Sequence, residues 1–368
     1  LIIIPLAILI WKNKFKPARI FFFAFVFLLI SVAVFVLKNA AILPSNTLTN
    51  YGLQMGSAIE VLLLTLAMID KFNQFKTDAF KRLEEINTLK TEANLVLEKK
   101  VLERTKTINE QKEEILSSIR YAKRIQKNIL PEKKLIHKLF EENAFVLYQP
   151  KDIVSGDFYW IEEIYLGDVK TQIVVVADCT GHGVPGGFMS MLGATLVRQE
   201  IKNLLPGDGP HQLLQKISNA LQISIQNYEN QEDWAITDGM DMAVVFIQEP
   251  NIKFAGAKSD LLIMFKNGEF QRVKGDKNSI AHEQANEFTL HSLTLSKGDS
   301  IYLFTDGIID QFGGSENKKL SRSGLCKLIS NTNENNFNQR ENELLSKWNE
   351  WKEYNEQTDD MCLFAYKY

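Results

Sequence analysis

The sequence predicts an α+β layered sandwich over residues 131–368, preceded by membrane-length helices and a long helical linker. Three observations carry this. Short strand-like runs are separated by turn signals at Asn267-Gly268, Lys274-Gly275 and Lys297-Gly298, which favour antiparallel pairing. Helical patterns fall between these runs as inserted pairs, unlike the strict alternation of a doubly wound sheet. The first seventy residues are almost free of acids and hold long apolar runs. The net charge of −3 gives no bulk attraction to nucleic acid. Cys179, Cys326 and Cys362 lie far apart without metal-ligand spacing, which fits a reducing compartment.

Residues 1–70 read as transmembrane helices. Leu1–Trp11 has the character of the tail of a hydrophobic helix, and a chain beginning inside an apolar run reads as a fragment of a larger receptor with its sensor upstream. Ile20–Leu37 is apolar apart from Ser31, and Tyr51–Ile69 forms a second span with Glu60 as its one charge. Lys12, Lys14, Lys16 and Arg19 precede the first span; Lys71, Lys76, Lys81 and Arg82 follow the second. The excess of basic residues on these flanks puts both on the cytoplasmic side and the Lys38–Asn50 loop outside. The expected placement is therefore multi-pass in the inner (cytoplasmic) membrane, with everything after Asp70 in the cytoplasm. Glu60 is costly in lipid and is expected to face a neighbouring helix.

Residues 71–130 contain neither proline nor glycine. Ile108, Ile115, Ala122 and Ile129 recur at steps of seven, with Ile119 as a partner position, and Leu95, Leu102 and Leu116 fall on a second heptad line. Lys112 and Asn109 interrupt the seam. The pattern predicts a cytoplasmic signalling helix that pairs as a parallel coiled-coil homodimer. Pro131 ends it.

Within residues 131–368, strands are expected at Ala144–Tyr148, Phe158–Glu162, Gln172–Ala177, Met242–Gln248, Ile252–Ala257, Leu261–Phe265, Phe288–Thr294, Ser300–Thr305 and Met361–Tyr366. One helix is expected to bury Phe188, Met191, Leu192 and Leu196. A second buries Leu214, Ile217, Leu221 and Ile225, and a third Leu344, Leu345, Trp348 and Trp351.

Acids stand at strand ends. Asp157 begins one strand, Asp178 closes the Val174–Ala177 run, Asp306 follows Thr305, and Asp359 and Asp360 precede the last strand. Buried acids are costly without compensation. Lys151 is near Asp157 in sequence, but Asp178 and Asp306 have no cation within several residues. Hard carboxylate oxygens without paired His or Cys suit Mn²⁺ or Mg²⁺, and four acids fit two ions ~3.5–4 Å apart that clamp a phosphoryl group.

Five motifs in order resemble the SpoIIE-type branch of the metal-dependent protein serine/threonine phosphatases, the PPM family. They are Val154–Tyr159, Ala177–Gly186, Phe254–Ala257, Phe304–Gly307 and Asp359–Met361. The resemblance covers roughly Tyr121–Tyr368 and implies an α/β-β/α sandwich with the metals at one end of two packed sheets. It implies Asp178 as the acid touching both metals, with Asp157, Asp306 and Asp359 on the cluster and the backbone carbonyl of Cys179 as a further ligand. Asp359 is favoured over Asp360 because it stands three positions ahead of a usual Thr or Ser, here Cys362. The implied activity is hydrolysis of phosphoserine or phosphothreonine on a regulatory protein, an anti-sigma-factor antagonist by analogy. His182 lies four residues after Asp178 and is read as a loop residue rather than a proton donor. No role transfers to Lys258 or Asp260, and Asp241 is left outside the site.

Tyr51–Leu63 resembles the last spans of bacterial seven-transmembrane receptors with intracellular signalling modules. The alternative function is a noncatalytic receptor scaffold with a phosphatase-like binding domain, which would lack one or more of the acids. A phosphate-cradling loop at Gly181–Gly187 is excluded because no Gly-Lys-Ser/Thr ending follows.

Overall fold

The computed structural model describes residues 16–226, 239–281, 287–332, 337 and 339–368. Expectations for Leu1–Trp11 and for the side chain of Ile225 lie outside the described residues. The chain divides into two compact units, Leu1–Asn109 and Glu110–Tyr368.

In the first unit, α1 (Lys16–Asn39) and the beginning of α2 (Thr47–Ile129) contain the two helical stretches long and apolar enough to cross a membrane, judged by length and composition. They approach closely where Gly56 faces Ser31: a Cβ at Gly56 would lie 2.0 Å from the Ser31 hydroxyl. Small residues at a helix crossing allow this approach. Glu60 is half-buried. Through its middle, α2 is solvent-exposed in the single chain, with Leu95, Leu102, Ile108 and Ile115 open on its surface.

The second unit begins within the end of α2 and continues through α3 (Lys133–Phe140). Next come β1 (Ala144–Gln149), β2 (Phe158–Leu166), β3 (Val169–Cys179), α4 (Gly183–Lys202), α5 (Pro210–Gln226), β4 (Met240–Gln248) and β5 (Asn251–Ala257). They are followed by β6 (Leu261–Met264), β7 (Phe270–Val273), β8 (His291–Thr294), β9 (Ser300–Phe304) and a single turn, α6 (Asp306–Ile309). The chain closes with β10 (Phe312–Gly313), β11 (Lys318–Lys319), α7 (Ser321–Ser330), α8 (Gln339–Lys352) and β12 (Met361–Lys367).

Two five-stranded antiparallel sheets result, ordered β1-β12-β9-β6-β7 and β2-β3-β4-β5-β8. Strand alternation divides the core into three layers. In β3, Val174 and Val176 face the other sheet and meet Ile301, Leu303 and Phe364. Ile173, Val175, Ala177 and Cys179 face α4 and α5. On the far side, Tyr302, Phe304 and Leu363 pack under α7 and α8 with Trp348. Burial of both faces explains why β3 reads as a continuous apolar run instead of an alternating one.

Three expectations need correction. Phe188 is exposed at 62 % rather than buried. The buried face of α4 is instead Gly186, Gly187, Ser190, Gly193, Ala194 and Leu196, with Met191 and Leu192 only partly covered. The helix lies so close to the sheet that a Cβ at Gly193 would sit 2.8 Å from the Phe158 ring. Close packing selects small residues in the first half of α4, so the expectation fails at Phe188, while Leu196 is buried as expected, beside Val197 and Ile201. The strand expected from Phe288 starts only at His291, and Phe270–Val273 is a strand that alternation did not reveal.

Candidate active site

Antiparallel order brings the ends of β3, β5 and β9 and the starts of β2, β4 and β12 to one rim. The acids follow from strand parity. Asp157 shares the face of Tyr159 and Ile161, and Asp178 that of Val174 and Val176, so both belong to the seam between the sheets. Asp306 opens the turn after β9, and Asp359 and Asp360 lead into β12.

Asp157 is buried, 2 % exposed. The Thr305 hydroxyl lies 2.6 Å from its Oδ2, and its amide donates to Ser155 Oγ at 3.1 Å. Burial drives its pKa well above the ordinary carboxylate range; Thr305 opposes the shift, and Asp360, Asp359 and Asp306 add to it. Asp178 is pushed up to about 10, first by burial and then by Asp157 and Asp306, with which it interacts directly. Asp306 is also raised, chiefly by burial. These carboxyls therefore share one electrostatic neighbourhood.

The two acids before β12 play different parts. Asp360 accepts the Lys151 amide on Oδ1 and the Gly156 amide on Oδ2, both at 2.7 Å, which staples the loop before β2. Asp359 accepts the Asp360 amide on Oδ1 at 2.8 Å and acts electrostatically on Asp157, Asp178 and Asp306. At Cys362, where a Thr or Ser is usual, Thr305 supplies the local hydrogen bonding. The Cys362 amide donates to Thr305 Oγ1 at 2.9 Å, and the Thr305 amide to the Cys362 carbonyl at 2.9 Å. The thiol is buried between the sheets.

The Cys179 side chain packs in the helix-side core, while its carbonyl lies near Gly156, 3.3 Å from where a Cβ there would stand. Gly181 and Gly183 hold φ of 87° and 68°, a backbone that L side chains rarely adopt. Between them, exposed His182 caps α4 and meets Asp152 Oδ2 through Nδ1 at 2.8 Å. The Lys151 ammonium is 3.3 Å from His182 Nε2, so it is directed at the histidine rather than at Asp157.

Three positioning residues were missed by sequence reasoning. Thr305 is one. Lys258 is another: it is paired with Asp241, which lies directly opposite Asp178 in the β3–β4 register. The third is Gln126, at the end of α2 and only 4 % exposed. Its Nε2 donates to the Ser155 carbonyl at 2.6 Å and to Ser190 Oγ at 2.7 Å, and its Oε1 accepts the Ser155 amide at 3.2 Å. A polar residue between Ile125 and Lys127 gave no periodic signal.

All the side-chain donors are hard oxygens, and neighbouring carboxylates raise the pKa of Asp157 and Asp178, the condition a cation relieves. Among the described residues, no three His, Cys, Asp or Glu side chains are already arranged as a cage. The acids fit the ion by chemistry and neighbourhood rather than by preformed geometry.

The sequence profile of Stage II sporulation protein E (SpoIIE) matches residues 168–368, more than half of the chain. The chain belongs to the SpoIIE family. A second profile, 7TM diverse intracellular signalling, matches residues 1–71. Among solved structures, the SiaA-PP2C domain of Pseudomonas aeruginosa is similar, with a TM-score of 0.62 and 26 % identity, covering 70 % of this chain and 98 % of that one. Protein IcfG of Synechocystis sp. is 25 % identical over 213 residues, 51 % of this chain and 32 % of that protein. The chain thus spans about a third of the length of that relative. The C-terminal unit of this SpoIIE-family chain has a PP2C-type phosphatase fold: two antiparallel sheets flanked by helices.

Proposed function

We propose that the chain is a membrane-anchored signalling phosphatase that removes phosphate from phosphoserine or phosphothreonine on a small regulatory protein, an anti-sigma-factor antagonist by family analogy. One observation carries the reading: Asp306 and Asp359 act at one rim on both Asp157 and Asp178, and these neighbouring carboxyls add to the burial that raises the pKa of both. A noncatalytic scaffold has no use for so costly an arrangement.

In this reading Asp157, Asp178, Asp306 and Asp359, with the Cys179 carbonyl, are the residues that would hold two Mn²⁺ or Mg²⁺ ions. When bound, the ions supply charge neutralisation for the phosphoryl oxygens and acidify water. The chain does the positioning. Thr305 fixes the rotamer of Asp157 through the 2.6 Å hydrogen bond. Asp360 staples the Lys151–Gly156 loop that delivers Asp157. Asp178 is held by β3 between β2 and β4, so its carboxyl is delivered by a rigid strand rather than a loop. Residues 1–70 serve as the membrane anchor, residues 71–130 as a helix that pairs two chains, and residues 131–368 as the cytoplasmic phosphatase domain.

The test uses the full chain in detergent micelles with a phosphoserine peptide. Phosphate release that needs Mn²⁺ and stops in EDTA is expected. Undiminished release in EDTA contradicts the reading.

A further inference from the structure

Three charged groups stand side by side at the rim of β3, β4 and β5. Asp178 and Asp241 are direct register partners, and Lys258 follows Ala257, which pairs with Met242. Lys258 holds φ at 54°, a conformation that costs a non-glycine residue energy unless its surroundings fix it. Here its amide donates to the Asp276 carbonyl at 2.8 Å. The ammonium lies 3.0 Å from Asp241 Oδ2, and the other oxygen of Asp241 accepts the Ser279 hydroxyl at 2.5 Å. The field of Asp178 and Asp306 also reaches Lys258, after the direct bond to Asp241.

Lys258 lines a hollow of about 50 Å³ together with Asp178, Asp241, Asp306 and Arg322. Arg322 is presented in a similar way: Ser321 just before it holds φ at 63°. Its guanidinium is 3.1 Å from Asp260 Oδ2, which already takes Arg272 at 2.7 Å. Two guanidiniums on one carboxylate leave one positive charge in excess. The hollow therefore has an acidic wall and a cationic wall.

We propose that Lys258 and Arg322 form the anion-holding wall of the substrate pocket and grip the non-reacting oxygens of the phosphoryl group presented to Asp178 and Asp306. This rests on the phosphatase reading above. The charge balance requires such a wall: four carboxylates cancel two divalent cations, which leaves no net charge to draw a phosphate dianion. Lysine supplies a point charge and arginine a planar fork, both suited to phosphate oxygens. A wall that merely neutralised Asp241 and Asp260 would affect melting temperature and leave phosphate affinity alone.

The experiment measures binding of inorganic phosphate by calorimetry and turnover of p-nitrophenyl phosphate, using the full chain in detergent with Mn²⁺. In Lys258→Met and in Arg322→Met, the phosphate dissociation constant and KM rise together by about tenfold, the loss of one charge-assisted hydrogen bond, and by more than kcat falls. Lys258→Arg recovers most of the loss. Should a Met variant fail to fold, Lys258→Gln and Arg322→Gln take its place. Phosphate affinity and KM within twofold of wild type in variants of both residues overturn the proposal, as does a wild-type chain that binds no phosphate. Wild-type chain that binds phosphate, with the Lys258 and Arg322 dependence, yet releases none from the ester counts against the hydrolase reading and supports the wall.

Discussion

The Thr305 hydroxyl reaches across the seam between the two sheets to Asp157, 2.6 Å from Oδ2, while its oxygen accepts the Cys362 amide at 2.9 Å. One side chain thereby ties the end of β9 to the start of β2 and to β12, and it orients the most buried acid of the site. Thr305→Val removes the hydrogen bond at nearly constant volume. Metal affinity is expected to fall about 10- to 100-fold, the usual loss when an outer partner of a ligand is removed. Thr305→Ser retains it. Calorimetric titration with Mn²⁺ checks this.

Gln126 joins the end of α2 to the Ser155 backbone and to Ser190 through three hydrogen bonds. Gln126→Leu leaves the Ser155 amide and carbonyl without this partner. A loss of about 1–3 kcal/mol is expected in urea denaturation, with lower turnover because Ser155 also positions the Asp157 amide. Unchanged stability and turnover would show that the clamp does nothing.

The acid cluster gives the metal-free protein a pH dependence of known sign. Carboxyl pKa values raised in the folded state mean that it keeps protons which the unfolded chain releases above about pH 4. Stability therefore falls as pH rises from about 4 toward 10, the value to which Asp178 is pushed. Mn²⁺ at about 100 times its dissociation constant adds about 2.7 kcal/mol near neutral pH and flattens the decline. Melting curves with EDTA and with Mn²⁺ across pH measure both effects.

The exposed heptad residues of α2 make a prediction about assembly. Ile108 and Ile115 are 61 % and 60 % exposed in the single chain. Apolar residues spaced by seven are stabilised when two helices pair. Sedimentation of the wild-type chain in density-matched detergent is expected to give a dimer, and Ile108→Lys with Ile115→Lys a monomer. A wild-type monomer at tens of micromolar contradicts pairing through α2.

Much of the fold was legible because each acid ends or begins an apolar run, and β3 shows both features within six residues, Ile173–Asp178. Of the expected hairpin signals, Asn267-Gly268 does join β6 to β7, whereas Lys274-Gly275 and Lys297-Gly298 lie between strands of different sheets. What was not legible has physical causes. The buried face of α4 begins with small residues, Gly186 to Ala194, which carry little hydropathy signal, so the apolar pattern misplaces Phe188 inwards. Lys258 neighbours Asp241 only through the pairing of β4 with β5, a relationship that sequence distance hides. Thr305 and Gln126 act through hydrogen bonds to loops far away in sequence, and no spacing rule reports those. The part played by Asp360, which accepts amides on both oxygens, also depends on backbone groups far away in sequence.

In the proposed function, metal-dependent hydrolysis depends most on Asp178. Release of phosphate from p-nitrophenyl phosphate, with saturating Mn²⁺, by wild type and by Asp178→Asn tests it most directly. The account predicts turnover by wild type and its loss in a variant that still melts cooperatively. Turnover by Asp178→Asn equal to that of wild type would contradict it.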